Sequence, residues 1–228
     1  MRLRTVWRAE DGARLASTVW HAGPGMRMIS SALVGGGVGP GGWVLNAQVP
    51  GEYSRLDPVE HLRELAASLG LRGPGVGMLT AAAVDRTMRA SDKGVNACAT
   101  VGLRVPTWAA APAGASDPEL APVDDAAQVF PRPGTVNILV EVPAALSDAA
   151  LVNAVMTATE AKTQALLEAG YSCTGTASDA ICVAAPIPVT EAEPFAGPRS
   201  TWGARIARAV HSAVYAGAVD YTGFLQDR

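Results

Sequence analysis

Hydrophobic and polar positions change period several times along this chain, and each change marks an element. Arg2–Arg8 and Ala13–Trp20 alternate weakly about Asp11-Gly12, which predicts two strands joined by a tight turn. Met28–Ala32 reads as a strand, Gly35 to Gly42 as a glycine-rich loop, and Trp43–Val49 as a strand closed by Pro50-Gly51. Helical spacing follows, with Val59, Leu62, Leu65, Ala66 and Leu69 on one face. Asp57 stands in N-cap position, Pro58 fits the first helical position, Glu60 completes a capping box, and Gly70 ends the helix. Buried strands are expected at 75–82 and 97–103. Residues 106–133, rich in Ala, Pro and Asp, have no period; a long loop is expected there, not a domain boundary. Thr135–Val142, Asp148–Ala169 and Ala180–Ala185 then form a strand–helix–strand unit. A last helix starts near Ser200 or Thr201, with Trp202, Ile206, Val210 and Ala213 on one face.

This succession predicts one layered α/β (or α+β) domain over 1–228, a mixed β-sheet core packed by about three main helices. Composition agrees: 228 residues suffice for a sizeable core, and 49% are hydrophobic against 17% charged. The net charge of −3 argues against a nucleic-acid binder and against a polybasic membrane contact. Cys98, Cys173 and Cys182 are odd in number and show no C-x-x-C spacing, which points to a reducing compartment. The start of the chain lacks the apolar core of a secretion signal, and no stretch reaches the roughly 20 uninterrupted apolar residues of a membrane span. The expected location is cytoplasmic, with self-association left open.

Chemistry concentrates in the second half. On a helical wheel over 148–169, Leu151, Val152, Val155, Met156, Leu166 and Leu167 define an apolar sector. Thr159 falls at its centre, Lys162 inside it and Glu160 at its edge. Two apart, Glu160 and Lys162 point in different directions, so each needs a partner off the helix or reaches for water. The turn Cys173–Asp179 offers the hydroxyls of Thr174, Thr176 and Ser178, backbone N–H groups freed by Gly175, and one carboxylate. Such a turn suits an amide carbonyl, with N–H groups for an oxyanion and a carboxylate to orient a nucleophile. The same residues also serve to satisfy their own backbone.

Other patterns exclude more than they assign. Gly35–Gly42 lacks the Lys-Ser/Thr ending of a phosphate loop and fails the dinucleotide fingerprint. His21, His61 and His211 are scattered, so no protein-bound metal is expected. Ser30-Ser31 lacks the flanking glycines of a serine–serine–lysine amidase. The five tryptophans suit packing, although Trp43 and Trp108, in or beside loops, are placed to stack on a flat ligand.

Taken in order, several segments resemble the adenosylcobinamide amidohydrolase family over most of the chain. They are Ser30-Ser31-Ala32 with Gly35-Gly36-Gly37, Asn46 before Val49, Leu79-Thr80-Ala81-Ala82, and Ala99-Thr100-Val101-Gly102-Leu103. Gly134-Thr135-Val136-Asn137-Ile138, Thr159-Glu160-Ala161-Lys162, Thr174-Gly175-Thr176 with Ser178-Asp179, and Ala196-Gly197-Pro198 ahead of Gly203 complete the set. Cys173 and Ser178 stand where the family usually has Ala and Thr, and 106–133 looks less family-like.

The resemblance implies cleavage of the amide joining aminopropanol to a propionyl side chain of a corrin ring, in corrinoid salvage. The substrate's cobalt would not be a protein metal site, and no protein-bound cofactor is implied. Asp179 or Glu160 would be the general base for water, Lys162 the electrostatic stabiliser or acid, and Thr174-Gly175-Thr176 the oxyanion donors. Thr176 as a covalent nucleophile is the second assignment. Substrate contacts would come from Ser31, Gly35, Gly36, Gly37, Asn46, Thr80, Thr100, Thr135, Asn137, Thr174, Gly175 and Ser178. Competing readings are a non-catalytic corrinoid-binding protein and an amidase acting on complete corrinoids.

Overall fold

Period-two alternation in the central strands sends their side chains into two different cores. The computed structural model describes residues 1–51, 53–116, 118 and 134–226. In chain order these form β1 (Leu3–Glu10), β2 (Ala13–His21), β3 (Met26–Ser30), β4 (Gly37–Pro40), β5 (Trp43–Gln48), α1 (Pro58–Ser68), β6 (Val76–Thr80) and a single 3₁₀ turn (Val84–Arg86). They continue with β7 (Met88–Asp92), β8 (Val95–Gly102), β9 (Thr135–Glu141), α2 (Asp148–Glu168), β10 (Ala180–Pro186) and α3 (Thr201–Gln226). The strands make two mixed sheets, one in the order β1-β2-β5-β6 and one in the order β4-β3-β10-β9-β8-β7.

Ile181, Val183 and Ala185 of β10, with Val136, Ile138 and Val140 of β9, join Leu151, Ala158, Ile206 and Val210 in a core under α2 and α3. The intervening residues Ala180, Cys182 and Ala184, with Leu139, meet Trp20, Val44, Val76 and Met78 between the two sheets. Beyond the four-stranded sheet, Val19, Leu45 and Ala47 pack on Leu62 and Ala66 of α1. The layers therefore run helices, six strands, four strands, helix, in a single α/β domain. With both faces covered, β9 and β10 are apolar nearly throughout, which suits a parallel pair.

Several sequence expectations change. The loop read from Gly35 to Gly42 contains the edge strand β4, and β7 pairs with β8 around Lys93-Gly94, both at positive φ, a hairpin turn that composition did not single out. Asp57 makes no side-chain cap; Arg55 holds its carboxylate, and Glu60 pairs with Arg63, so no capping box forms. α2 is capped by Ser147, whose hydroxyl accepts from Ala150 N at 3.1 Å. The apolar sector assigned to α2 is also displaced. Val152, Met156 and Leu167 are about half exposed and Thr159 is exposed, whereas Ala150, Ala154, Ala158, Ala161 and Ala165 are buried. Alanines let α2 lie close to the sheet and α3, and a wheel weighted by large side chains points the wrong way. Of the 106–133 segment, 117 and 119–133 lie outside the described residues.

Candidate active site

The α2 crossover makes β9 and β10 parallel, with Ala180 beside Asn137, so both strands begin at the same end of the sheet. β8 ends there opposite Thr135, and β3 ends there with Ser30. The turn that precedes β10 therefore lies beside the first residues of β9 and under the second half of α2. Lys162 projects from the buried alanine face of α2 into this corner and is 6% exposed.

There Lys162 Nζ donates to Asp179 Oδ2 at 2.5 Å. Thr176 N donates to the same oxygen at 3.1 Å. Asp179 Oδ1 accepts from Val136 N at 2.8 Å and from Thr176 Oγ1 at 2.5 Å. Four donors fill the carboxylate's capacity. A buried charge is costly unless paired and hydrogen-bonded, and here both conditions hold. Gly175 is required by space: a Cβ there would overlap the Asp179 carboxylate and the Lys162 ammonium. Beside the pair, Thr135 and Ser178 share a hydroxyl hydrogen bond at 2.9 Å, and Ser178 also donates to Gly134 O at 3.3 Å. Ser31 Oγ accepts from Ile181 N at 3.2 Å, two residues beyond Asp179. Burial raises the thiol pKa of Cys173 beneath the turn.

The structure thus brings together Lys162, Thr174, Gly175, Thr176, Ser178, Asp179, Thr135 and Ser31. It does not bring Glu160 to them. Glu160 is exposed on the other side of α2, in a groove of about 350 Å³ shared with Arg208 and His211 of α3. Gly35 and Gly36 line a separate groove of about 440 Å³ against Arg63, Ala66 and Ala67 of α1; Gly37 opens β4. Neither groove is lined by Lys162 or Asp179. Two of the oxyanion donors expected of the turn are already engaged: Thr174 N donates to Thr107 O at 3.0 Å and Thr176 N to Asp179 Oδ2 at 3.1 Å.

Four residues expected to contact substrate are instead buried in the interior. Thr80 accepts from Ala82 N at 3.0 Å and closes its own turn. Asn137 Nδ2 donates to Asn46 Oδ1 at 2.8 Å and to Leu79 O at 3.0 Å; Asn46 Nδ2 donates to Thr100 Oγ1 at 2.9 Å. Thr87 gives its proton to Val84 O at 2.6 Å, so Thr100 must donate across the 2.7 Å contact with Thr87. This directed chain ties the two sheets together. Asn137 Oδ1 is left without a partner among the described residues and borders a cavity of about 10 Å³, close to the size one water needs.

Sequence reasoning missed Thr107, Thr163 and Thr87. Thr107 N donates to Gly175 O at 2.8 Å, and Thr163 Oγ1 to Thr174 O at 3.3 Å. Thr163 carried a signal, one residue after Lys162 on the helix; Thr107, at the head of an aperiodic segment, carried none.

Residues 3–225 match the family model described as adenosylcobinamide amidohydrolase. The chain belongs to the adenosylcobinamide amidohydrolase family. A relative from Methanosarcina mazei carrying that name is 32% identical over 183 residues, covering 77% of this chain and 82% of its own length. Another so named, from Halobacterium salinarum, is 41% identical over 117 residues, 49% of each chain. The matched region of this adenosylcobinamide amidohydrolase family member contains every residue of the Lys162–Asp179 cluster. No helix among its described residues is long and apolar enough to cross a membrane.

Proposed function

We propose that this protein hydrolyses the aminopropanol amide of adenosylcobinamide, giving adenosylcobyric acid and 1-amino-2-propanol, in corrinoid salvage. Family membership supports the substrate, and the Thr176–Asp179–Lys162 arrangement supports the chemistry. Cobalt enters as part of the substrate. Cytoplasmic residence is supported by three buried, unpaired cysteines.

Amide cleavage needs a nucleophile, a stabilised tetrahedral oxyanion and a proton for the departing amine. The Thr176 hydroxyl aims its proton at Asp179 Oδ1, which supports Thr176 as nucleophile and Asp179 as the base that receives that proton. As the Thr176 oxygen bonds to the carbonyl carbon, the proton passes to Asp179 and then to the amine nitrogen as the C–N bond breaks. Water then cleaves the threonyl ester and returns a proton to Thr176. The Lys162 ammonium has two protons beyond the one aimed at Asp179, and these serve the developing oxyanion. With Asp179 in this role and Glu160 remote from it, Glu160 is not needed as a base. Ser178 and Thr135 offer hydroxyls to the amide's other polar groups.

Incubation of the purified protein with adenosylcobinamide, followed by chromatography, is expected to yield adenosylcobyric acid and free aminopropanol. Unchanged substrate would refute the proposal.

A further inference from the structure

Trp108 has a position that the pairing of distant loops creates. The residue before it, Thr107, forms a two-way bridge with the catalytic turn: Thr107 N donates to Gly175 O at 2.8 Å, and Thr174 N donates to Thr107 O at 3.0 Å. The Thr174 side chain clamps both sides of Trp108, donating to Thr107 O at 3.2 Å and accepting from Ala109 N at 2.8 Å. Four hydrogen bonds therefore hold the backbone flanking one indole against the two residues that precede Thr176. The indole itself stays 46% exposed. Trp43, the other loop tryptophan, is 7% exposed and donates from Nε1 to Gly73 O at 3.2 Å, so it belongs to the core. Single exposed apolar residues are common; what sets Trp108 apart is that four hydrogen bonds fix its flanking backbone beside the turn of Thr176 and Asp179.

We infer that Trp108 is a substrate-positioning platform, which packs against the conjugated macrocycle of the corrinoid while its side-chain amide enters the Thr176–Asp179 corner. This rests on the hydrolase reading given above and deepens it. A propionyl arm places the scissile carbonyl only a few bonds from the ring, so the ring must lie beside the turn when the carbonyl meets Thr176. The Thr107–Gly175 bridge ties the backbone next to Trp108 to the residue that precedes Thr176. The adenosyl group, carried on the cobalt at the ring's centre, lies further from the arm. The contact is made equally in the ground state and the transition state, so it acts on binding more than on the chemical step.

The test compares wild type with Trp108→Ala and Trp108→Phe, each checked for folding by circular dichroism. With adenosylcobinamide, Trp108→Ala is expected to raise KM about tenfold while changing kcat far less, and Trp108→Phe to recover most of the loss. Dicyanocobinamide, which lacks the adenosyl group, serves as an equilibrium probe; its Kd, followed by absorbance, is expected to rise by a similar factor in Trp108→Ala. A loss confined to the adenosylated compound would move the contact from macrocycle to adenine and overturn the inference. Unchanged KM and Kd, with wild type turning over normally, would also overturn it and leave the hydrolase reading intact. Weakened dicyanocobinamide binding in Trp108→Ala without product from wild type would leave the platform standing and remove the hydrolase.

Discussion

Lys162 Nζ lies 2.5 Å from Asp179 Oδ2, and both side chains are less than a tenth exposed. The pair joins the middle of a helix to the turn that feeds the next strand. Its two members have different substitutes: the carboxylate keeps three other donors if Lys162 is lost, but the ammonium loses its one ionic partner if Asp179 is lost. Lys162→Met is expected to destabilise by about 3 kcal/mol, the lower part of the range for breaking a buried pair. Lys162→Met combined with Asp179→Asn should cost less than the sum of the two single changes, read by urea unfolding. Strict additivity would show that the two groups do not interact.

Asp179 and Glu160 separate cleanly in activity. Asp179→Asn keeps the shape of the side chain but removes the proton acceptor for Thr176, so kcat should fall at least about 100-fold. Glu160→Gln, on the exposed side of α2, should stay within about twofold of wild type. Thr176→Ser should retain turnover and Thr176→Val lose it. Steady-state assays on adenosylcobinamide check all four; full turnover by Thr176→Val would make water the direct nucleophile.

The inter-sheet chain predicts a stability effect. Asn137→Ala removes the side-chain donor to the buried Asn46 Oδ1 and to the part-buried Leu79 O. A loss of roughly 2 to 4 kcal/mol is expected in urea unfolding. Asn137→Asp should be no better, since it replaces the donating amide with an acceptor.

Stability should also fall in alkali. Burial pushes the Cys182 thiol up to about 12 and the Cys98 thiol to about 11. The folded state thus keeps these protons while the unfolded chain begins to release them near pH 9. Their contribution is complete below that pH and is lost as pH rises toward 11 and 12, by about 1.4 kcal/mol per unit for each thiol. Cys182→Ala should flatten this slope in denaturation series between pH 9 and 11. An unchanged slope would assign the alkaline loss to other groups.

Much of the fold was legible because the signals are short-ranged. Pro58 and Gly70 bracket α1, and the β-branched run after Gly134 with the polar entry to α2 marked the strand–helix–strand unit. Lys162 and Asp179 stand out in the sequence because charge in an apolar surrounding is rare at any position, and the structure pairs them. Glu160 stands out for the same reason and faces elsewhere, since spacing along a helix shows that two side chains diverge without showing which one meets the sheet. Asn46, Thr80, Thr100 and Asn137 suggest substrate contacts in the sequence because an amide or hydroxyl at a strand end suits a ligand as well as it suits another strand.

The sequence alone determined most of the elements, the strand–helix–strand unit and the family, each written in neighbouring residues or in motifs read one after another. Tertiary structure alone decided who meets whom. Asn137 finds Asn46 across 91 positions, and Thr174 finds the backbone of Thr107 across 67. Such partners are chosen by how sheets and helices stack, and in α2 that stacking follows a face of small alanines, whose hydrophobic signal is weak but whose size lets Lys162 come within reach of Asp179.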